Sequence, residues 1–156
     1  MAGSIFDDRE RSALFARLDR LRAEDRPQWG VMSAAQMVRH LREAIRMYTG
    51  ELDAPDRSTW RTRTLFRWMT LAGALPPKSA LAKDPPRTFK VIDVVRSGIA
   101  TSGLDEERRM LRDVTEAAIR DQRWAGRHPL FGRMSATDWG RLMHTHMAYH
   151  LRQFGV

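Results

Sequence analysis

The chain has 156 residues, 42 % of them hydrophobic and none cysteine, which fits one domain with a real core and excludes disulfides, thiolate metal sites and cysteine nucleophiles. Its formal net charge of +8 permits an anionic partner, but the arginines are scattered among acids, as in R-A-E-D-R and D-E-E-R-R, so no nucleic-acid partner is expected. No run approaches the ~18 apolar residues of a membrane span, and M-A-G-S-I-F-D-D-R-E lacks the apolar core of a secretory signal, so the expectations are no membrane partner and a cytoplasmic address.

Leu14, Leu18 and Leu21 recur at helical spacing among charged residues and predict a first amphipathic helix, ended by P-Q-W-G-V-M-S. Ser33 opens a second helix: S-A-A-Q puts Gln36 three residues after a serine, the capping-box pattern. Met37, His40, Leu41, Ala44 and Tyr48 form its apolar stripe. Residues 50–58 read as a loop, and a third helix is predicted over 59–75, carrying Trp60, Leu65, Trp68, Met69 and Ala72. The irregular stretch 76–103 holds P-P-K, D-P-P-R and an extended-looking F-K-V-I-D-V; so long a connection is often functional. A fourth helix over 104–120 rests on Leu111, Val114 and Ala118. After the Gly/Pro loop R-W-A-G-R-H-P-L-F-G-R-M, Ser135 and Asp138 open the last helix, whose buried stripe is Trp139, Leu142, Met143, His146, His150 and Phe154. Helical periodicity without strand alternation points to one all-α domain over residues 1–156, a four-helix bundle with a long crossover and one extra short helix or loop.

Three of the five histidines fall between positions 144 and 150. A residue advances about 100° around a helix, so His146 and His150 share a face, while His144 points about 160° from the first and about 120° from the second. His144 is therefore expected to be an exposed helix residue. His40 lies on the apolar stripe of its own helix. If the second and last helices are neighbours, His40 faces His146 and His150 across the core. Three neutral imidazoles suffice for a divalent first-row ion and leave a position open for water or substrate. A lone histidine on an apolar face is more often a satisfied core residue; three together are costly, since each unsatisfied buried polar group costs roughly 1–3 kcal/mol. A shared ion removes that cost. Glu43, one turn from His40, falls at the edge of the stripe and is given no catalytic role. Met37, Met143, Met147 and Trp139 read as core.

Two stretches carry a family resemblance. W-G-V-M-S-A-A-Q-M-V-R-H-L near the start and H-P-L-F-G-R-M-S-A-T-D-W-G-R-L-M-H-T-H-M-A-Y-H-L-R-Q-F-G at the end resemble the DinB/YfiT-like superfamily, within it a branch with H-P-x-F-G and H-L-R-Q-F-G signatures. The resemblance is specific at these two ends, roughly a quarter of the chain, and faint in the middle. It implies a four-helix bundle with a long crossover and a metal held by His40, from A-Q-M-V-R-H-L, and by His146 and His150, from H-M-A-Y-H. The superfamily's frequent H-x-x-Q continuation matches His150 and Gln153. Gln153 is placed either to orient a ligand or to bond a loop. His128, in R-H-P-L-F-G, is placed to line the mouth of the site or, more simply, to pack its loop.

The superfamily includes thiol-dependent S-transferases and a maleylpyruvate isomerase. The resemblance thus implies a metal-dependent enzyme acting on a small-molecule substrate, an S-transferase or a hydrolase-like protein. Its cofactors would be a divalent ion, Zn or Ni first, and a low-molecular-weight thiol. The alternative is a non-catalytic, stress-related bundle that binds a metal or ligand; a helix face would also permit a homodimer. Imidazole ligands must be neutral, so metal affinity is expected to fall below about pH 6.

Overall fold

A computed structural model describes residues 3–73 and 89–156. Five α-helices lie among the described residues: α1 (Asp8–Arg20), α2 (Ala34–Tyr48), α3 (Arg67–Leu71), α4 (Leu104–Asp121) and α5 (Ala136–Gln153). The fold is an all-α helical bundle with no strand among the described residues, and among them no helix is long and apolar enough to cross a membrane. The P-P-K and D-P-P-R motifs, and the end of the third predicted helix at 74–75, lie outside the described residues.

The helix starts follow from local side-chain chemistry. Asp7 accepts hydrogen bonds from the Arg9 and Glu10 amides and caps α1. Reciprocal capping boxes start α2, through Ser33 and Gln36, and α5, through Ser135 and Asp138. From there the apolar stripes set the packing. α2 lies along α4 and also meets α5, while α1 and α3 rest on α5. Leu14, Leu18, Met37, Leu41, Leu111, Trp139, Met143 and Met147 meet in one core, each contributing about 1.5–3 kcal/mol by leaving water. The N-terminal segment crosses α5 at Gly140, where the Ile5 amide donates to the Gly140 carbonyl at 3.0 Å. A Cβ on Gly140 would come within 2.6 Å of the Ser4 hydroxyl and of the Phe6 ring, so any side chain there would force both to shift.

α1 is tied to α4 by arginines. Arg112 lies over the Phe15 ring at 4.6 Å and pairs with Asp19 at 2.5 Å. Arg108 donates to the Leu18 carbonyl at 3.1 Å and also to that of Leu21, satisfying acceptors at the end of α1. A second set of charges lies inside the α2–α4 interface. Glu43, 3 % exposed, and Glu107, fully buried, face Arg39 and Arg42, with ion-pair distances between 2.6 and 3.8 Å. Arg46 closes the set at 2.9 Å from Glu43. Burial pushes the Glu107 carboxyl above the usual carboxylate range, against the Ser102 amide and Arg39, which pull it down.

Two sequence expectations change. The third helix is helical from 60 to 71, but a π-turn spans Thr62–Phe66 before α3. Thr64 donates its hydroxyl to the Trp60 carbonyl and Thr70 donates to that of Phe66, both at 2.8 Å, competition that distorts a helical ladder. The large apolar residues there are not core: Trp60 is 71 % and Trp68 68 % exposed, with Leu65 and Phe66 also exposed. F-K-V-I-D-V is not extended throughout. A 3₁₀ turn over Lys90–Ile92 buries Phe89 and Ile92, three residues apart, and Val94 is buried beyond it.

Candidate metal centre

α2 delivers His40, three residues after the buried Met37, and α5 delivers His146 and His150 one turn apart. The structure brings the three together. His146 Nε2 lies 3.2 Å from His40 Nε2 and 3.1 Å from His150 Nε2. One ligand atom from each histidine fits within a span of 4.8 Å. His40 and His150 are buried and His146 is half-buried, so the cluster meets solvent on the side of His146.

The outer nitrogens fix the rings. His40 Nδ1 is 2.7 Å from the Ile92 carbonyl oxygen, which can only accept, so Nδ1 carries the proton and Nε2 the lone pair. His150 Nδ1 is 2.8 Å from Gln153 Oε1. The Gln153 amide cannot be reversed without loss, because its Nε2 donates to the Trp29 carbonyl. His150 therefore also presents a lone pair at Nε2. His146 Nδ1 is 3.0 Å from the Tyr48 hydroxyl. Burial pushes the Tyr48 phenol far above its ordinary pKa, so it stays neutral.

The donor count decides what the cluster can do. If Tyr48 donates to His146, the one imidazole proton of His146 sits on Nε2 and points toward one of two neighbouring lone pairs. If Tyr48 accepts, His146 presents a third lone pair. Either way the converging nitrogens offer more lone pairs than protons, a donor set that can hold a cation. The spacing fits. An ion about 2.0–2.1 Å from each imidazole nitrogen separates adjacent nitrogens by about 3.0 Å at right angles and about 3.4 Å at the tetrahedral angle. The two separations from His146, 3.1 and 3.2 Å, lie between these values, while the set as a whole spans 4.8 Å, so the outer pair would draw in around an ion.

The other candidates fall elsewhere. Gln153, only 1 % exposed, both orients His150 and bonds a loop carbonyl, so the two roles considered for it are one. His144 is not exposed as expected: its side chain is 16 % exposed and its Nε2 lies 3.2 Å from Glu10 on α1, because α1 packs over that face of α5. His128 packs its loop. Its Nδ1 accepts from the Leu130 and Phe131 amides at 3.1 and 3.2 Å, its ring stacks on Phe131, and burial pushes its pKa down to about 4. Glu43 points into the α2–α4 charge set.

Sequence reading missed three supports of the centre. Ile92 acts through its backbone, which leaves no trace in residue type. Tyr48 reads as part of the apolar stripe, yet eight residues after His40 it returns to the same helix face. Gly30, at φ +85°, lies where a Cβ would come within 2.7 Å of Gln153 Nε2, so this backbone comes close to the orienting amide only as glycine. The Trp-Gly pair in P-Q-W-G-V was the available signal.

A family model described as "Protein of unknown function (DUF1569)" matches residues 6–155. No curated protein and no solved structure matches the chain.

Proposed function

We propose that this chain, which belongs to the DUF1569 family, is a metal-dependent protein of the DinB/YfiT-like kind. It would act on a small-molecule substrate through a divalent ion, Zn or Ni, held by His40, His146 and His150. The observation behind this reading is the approach of three imidazole Nε2 atoms whose outer nitrogens are each hydrogen-bonded. A three-imidazole ion keeps a position open and supplies Lewis acidity to a group brought there.

The chain's own groups do the rest. The Ile92 carbonyl and the Gln153 amide hold two rings by one tautomer each, and Tyr48 holds the third. Glu43, the carboxylate one turn from His40, is committed to arginines on the α4 side. A nucleophile that gives up its proton readily suits such a centre. A thiol, with a pKa of about 8.5, gives up its proton more easily than free water and binds a soft or borderline ion well. That favours thiol-dependent group transfer over hydrolysis, with a low-molecular-weight thiol as co-substrate because the chain has no cysteine of its own.

Elemental analysis of purified protein tests the centre: one equivalent of divalent metal is expected in the wild type and a large loss in His40→Ala. Full occupancy in the variant removes His40 from the site. Consumption of a small thiol by a model electrophile, stopped by a chelator and restored by metal, tests the transferase. Bound metal without turnover would instead leave a non-catalytic metal-binding bundle.

A further inference from the structure

A second concave site lies away from the histidines, between α3 with its preceding π-turn and the first two turns of α5. It is an open cleft of about 540 Å³, lined by Arg63, Arg67, Arg141, Asp138, Trp68 and Leu71 among others. That volume is in the range of small-molecule sites, about 300–1,000 Å³. Its charge is unbalanced. Asp138 is taken by Arg67, at 2.5 Å. Burial alone would raise the Asp138 pKa, but the Ser135 amide and hydroxyl and Arg67 together hold it below the usual range, so it stays ionised. Arg67 spends its other arm on the Arg133 carbonyl at 3.0 Å and is a structural clamp.

Arg63 and Arg141 remain. Arg63 donates from Nε and Nη2 to the neutral Ser58 hydroxyl, at 3.0 and 2.7 Å. The further carboxylate on that side, Asp56, reaches Arg63 through the same hydroxyl, at 2.5 Å, and lies 3.4 Å from Arg127. Arg141 has no ion pair among the described residues. The cleft thus holds two guanidiniums beyond what its own carboxylate neutralises, one of them held in place by Ser58. Beside them stand the exposed indole of Trp68 and the side chain of Leu71.

We infer that this cleft binds a phosphate monoester carrying an apolar or aromatic body. A phosphate monoester has a charge of about −1.5 to −2 at pH 7, which two guanidiniums match, and oxygens that fit their planar forks. Trp68 and Leu71 give the apolar body a wall. The site is independent of the metal centre, so each can fail without the other.

Calorimetric titration of the full chain, stripped of metal, with phenyl phosphate and with inorganic phosphate tests the proposal. Phenyl phosphate is expected to bind below millimolar concentration, more weakly as salt rises from about 0.05 M to about 0.5 M. Arg141→Gln and, separately, Arg63→Gln are expected to weaken it about tenfold or more, the loss of a charged hydrogen bond. Trp68→Ala is expected to weaken phenyl phosphate and leave inorganic phosphate unchanged. Circular dichroism of each variant checks that the fold is kept. His40→Ala is expected to bind as wild type; loss there would move the ligand to the histidine centre and overturn the assignment. Retention on phosphatidic acid vesicles, with none on phosphatidylcholine, would identify the ester as a lipid headgroup. Binding of the soluble ester without vesicle retention would identify a free metabolite. No heat with phenyl phosphate at millimolar concentration, or equal affinity in both arginine variants, overturns the proposal.

Discussion

α2 carries a polar cluster on each of two faces, and the two are solved differently. Toward α4, Glu43 and Glu107 meet Arg39, Arg42 and Arg46, so positive and negative groups are both supplied by the chain. Toward α5, His40 meets His146 and His150, and all three are of one chemical kind, with their Nε2 atoms converging. Both clusters put polar atoms where apolar ones would pack more cheaply. Buried polarity alone therefore does not mark a ligand site. Three imidazoles converging from two helices are a different case, because together they form a donor set that can hold an ion.

Breaking the charged cluster should give the largest effect on the bare fold. Glu107→Ala leaves Arg39 and Arg42 to share Glu43 as their one remaining buried partner and is expected to cost about 3–5 kcal/mol in a denaturant titration, with metal content unchanged. Replacing Arg39, Arg42, Glu43 and Glu107 together by apolar residues is expected to be neutral or stabilising, as a self-contained set allows. The histidine cluster should respond to ions instead. Zn or Ni at a thousand times its Kd is expected to add about 4 kcal/mol to the wild type and nothing comparable to His150→Ala. Equal stabilisation of both by metal would erase the distinction between the clusters.

His128 supplies the next effect, and its sign is fixed by its depressed pKa of about 4. Above pH 6.5 both folded and unfolded chains keep it neutral. Between about 6.5 and 4 the unfolded chain takes a proton that the folded one refuses, so stability falls with pH by about 3 kcal/mol. In metal-free protein, His128→Phe should remove that part of the slope. An unchanged slope would mean that His128 is not held neutral by its burial. The smallest effect is expected from Gln153→Ala, which frees the His150 ring and should weaken metal binding about 10- to 100-fold while His150 itself remains. A metal titration with a competing chelator reads it directly.

The readable parts of this structure were those written in short-range pattern. Ser33 with Gln36, and Ser135 with Asp138, mark helix starts because a cap is a contact between residues three apart. His40, His146 and His150 are legible as faces, since helical period assigns each to the buried stripe; that the faces meet is a tertiary fact. The exposure of Trp60 and Trp68 was not legible, because periodicity shows that a face is apolar and not whether anything covers it. The charged cluster, too, leaves a trace in the sequence. Arg39, Arg42, Glu43 and Arg46 recur at three- and four-residue spacing, a second stripe beside the apolar one. Its partner Glu107 lies on another helix and carries no local mark.

Gly30 has a consequence that reaches past its own loop. Because it has no β-carbon, the strip of backbone around Trp29 can close on the end of α5 and act as a stop against which an amide is seated. A single methyl there would push on that amide, and the disturbance would pass through one hydrogen bond to an imidazole of the proposed ligand set. Tuning of this metal would then lie partly with a position that has no side chain and never touches the ion.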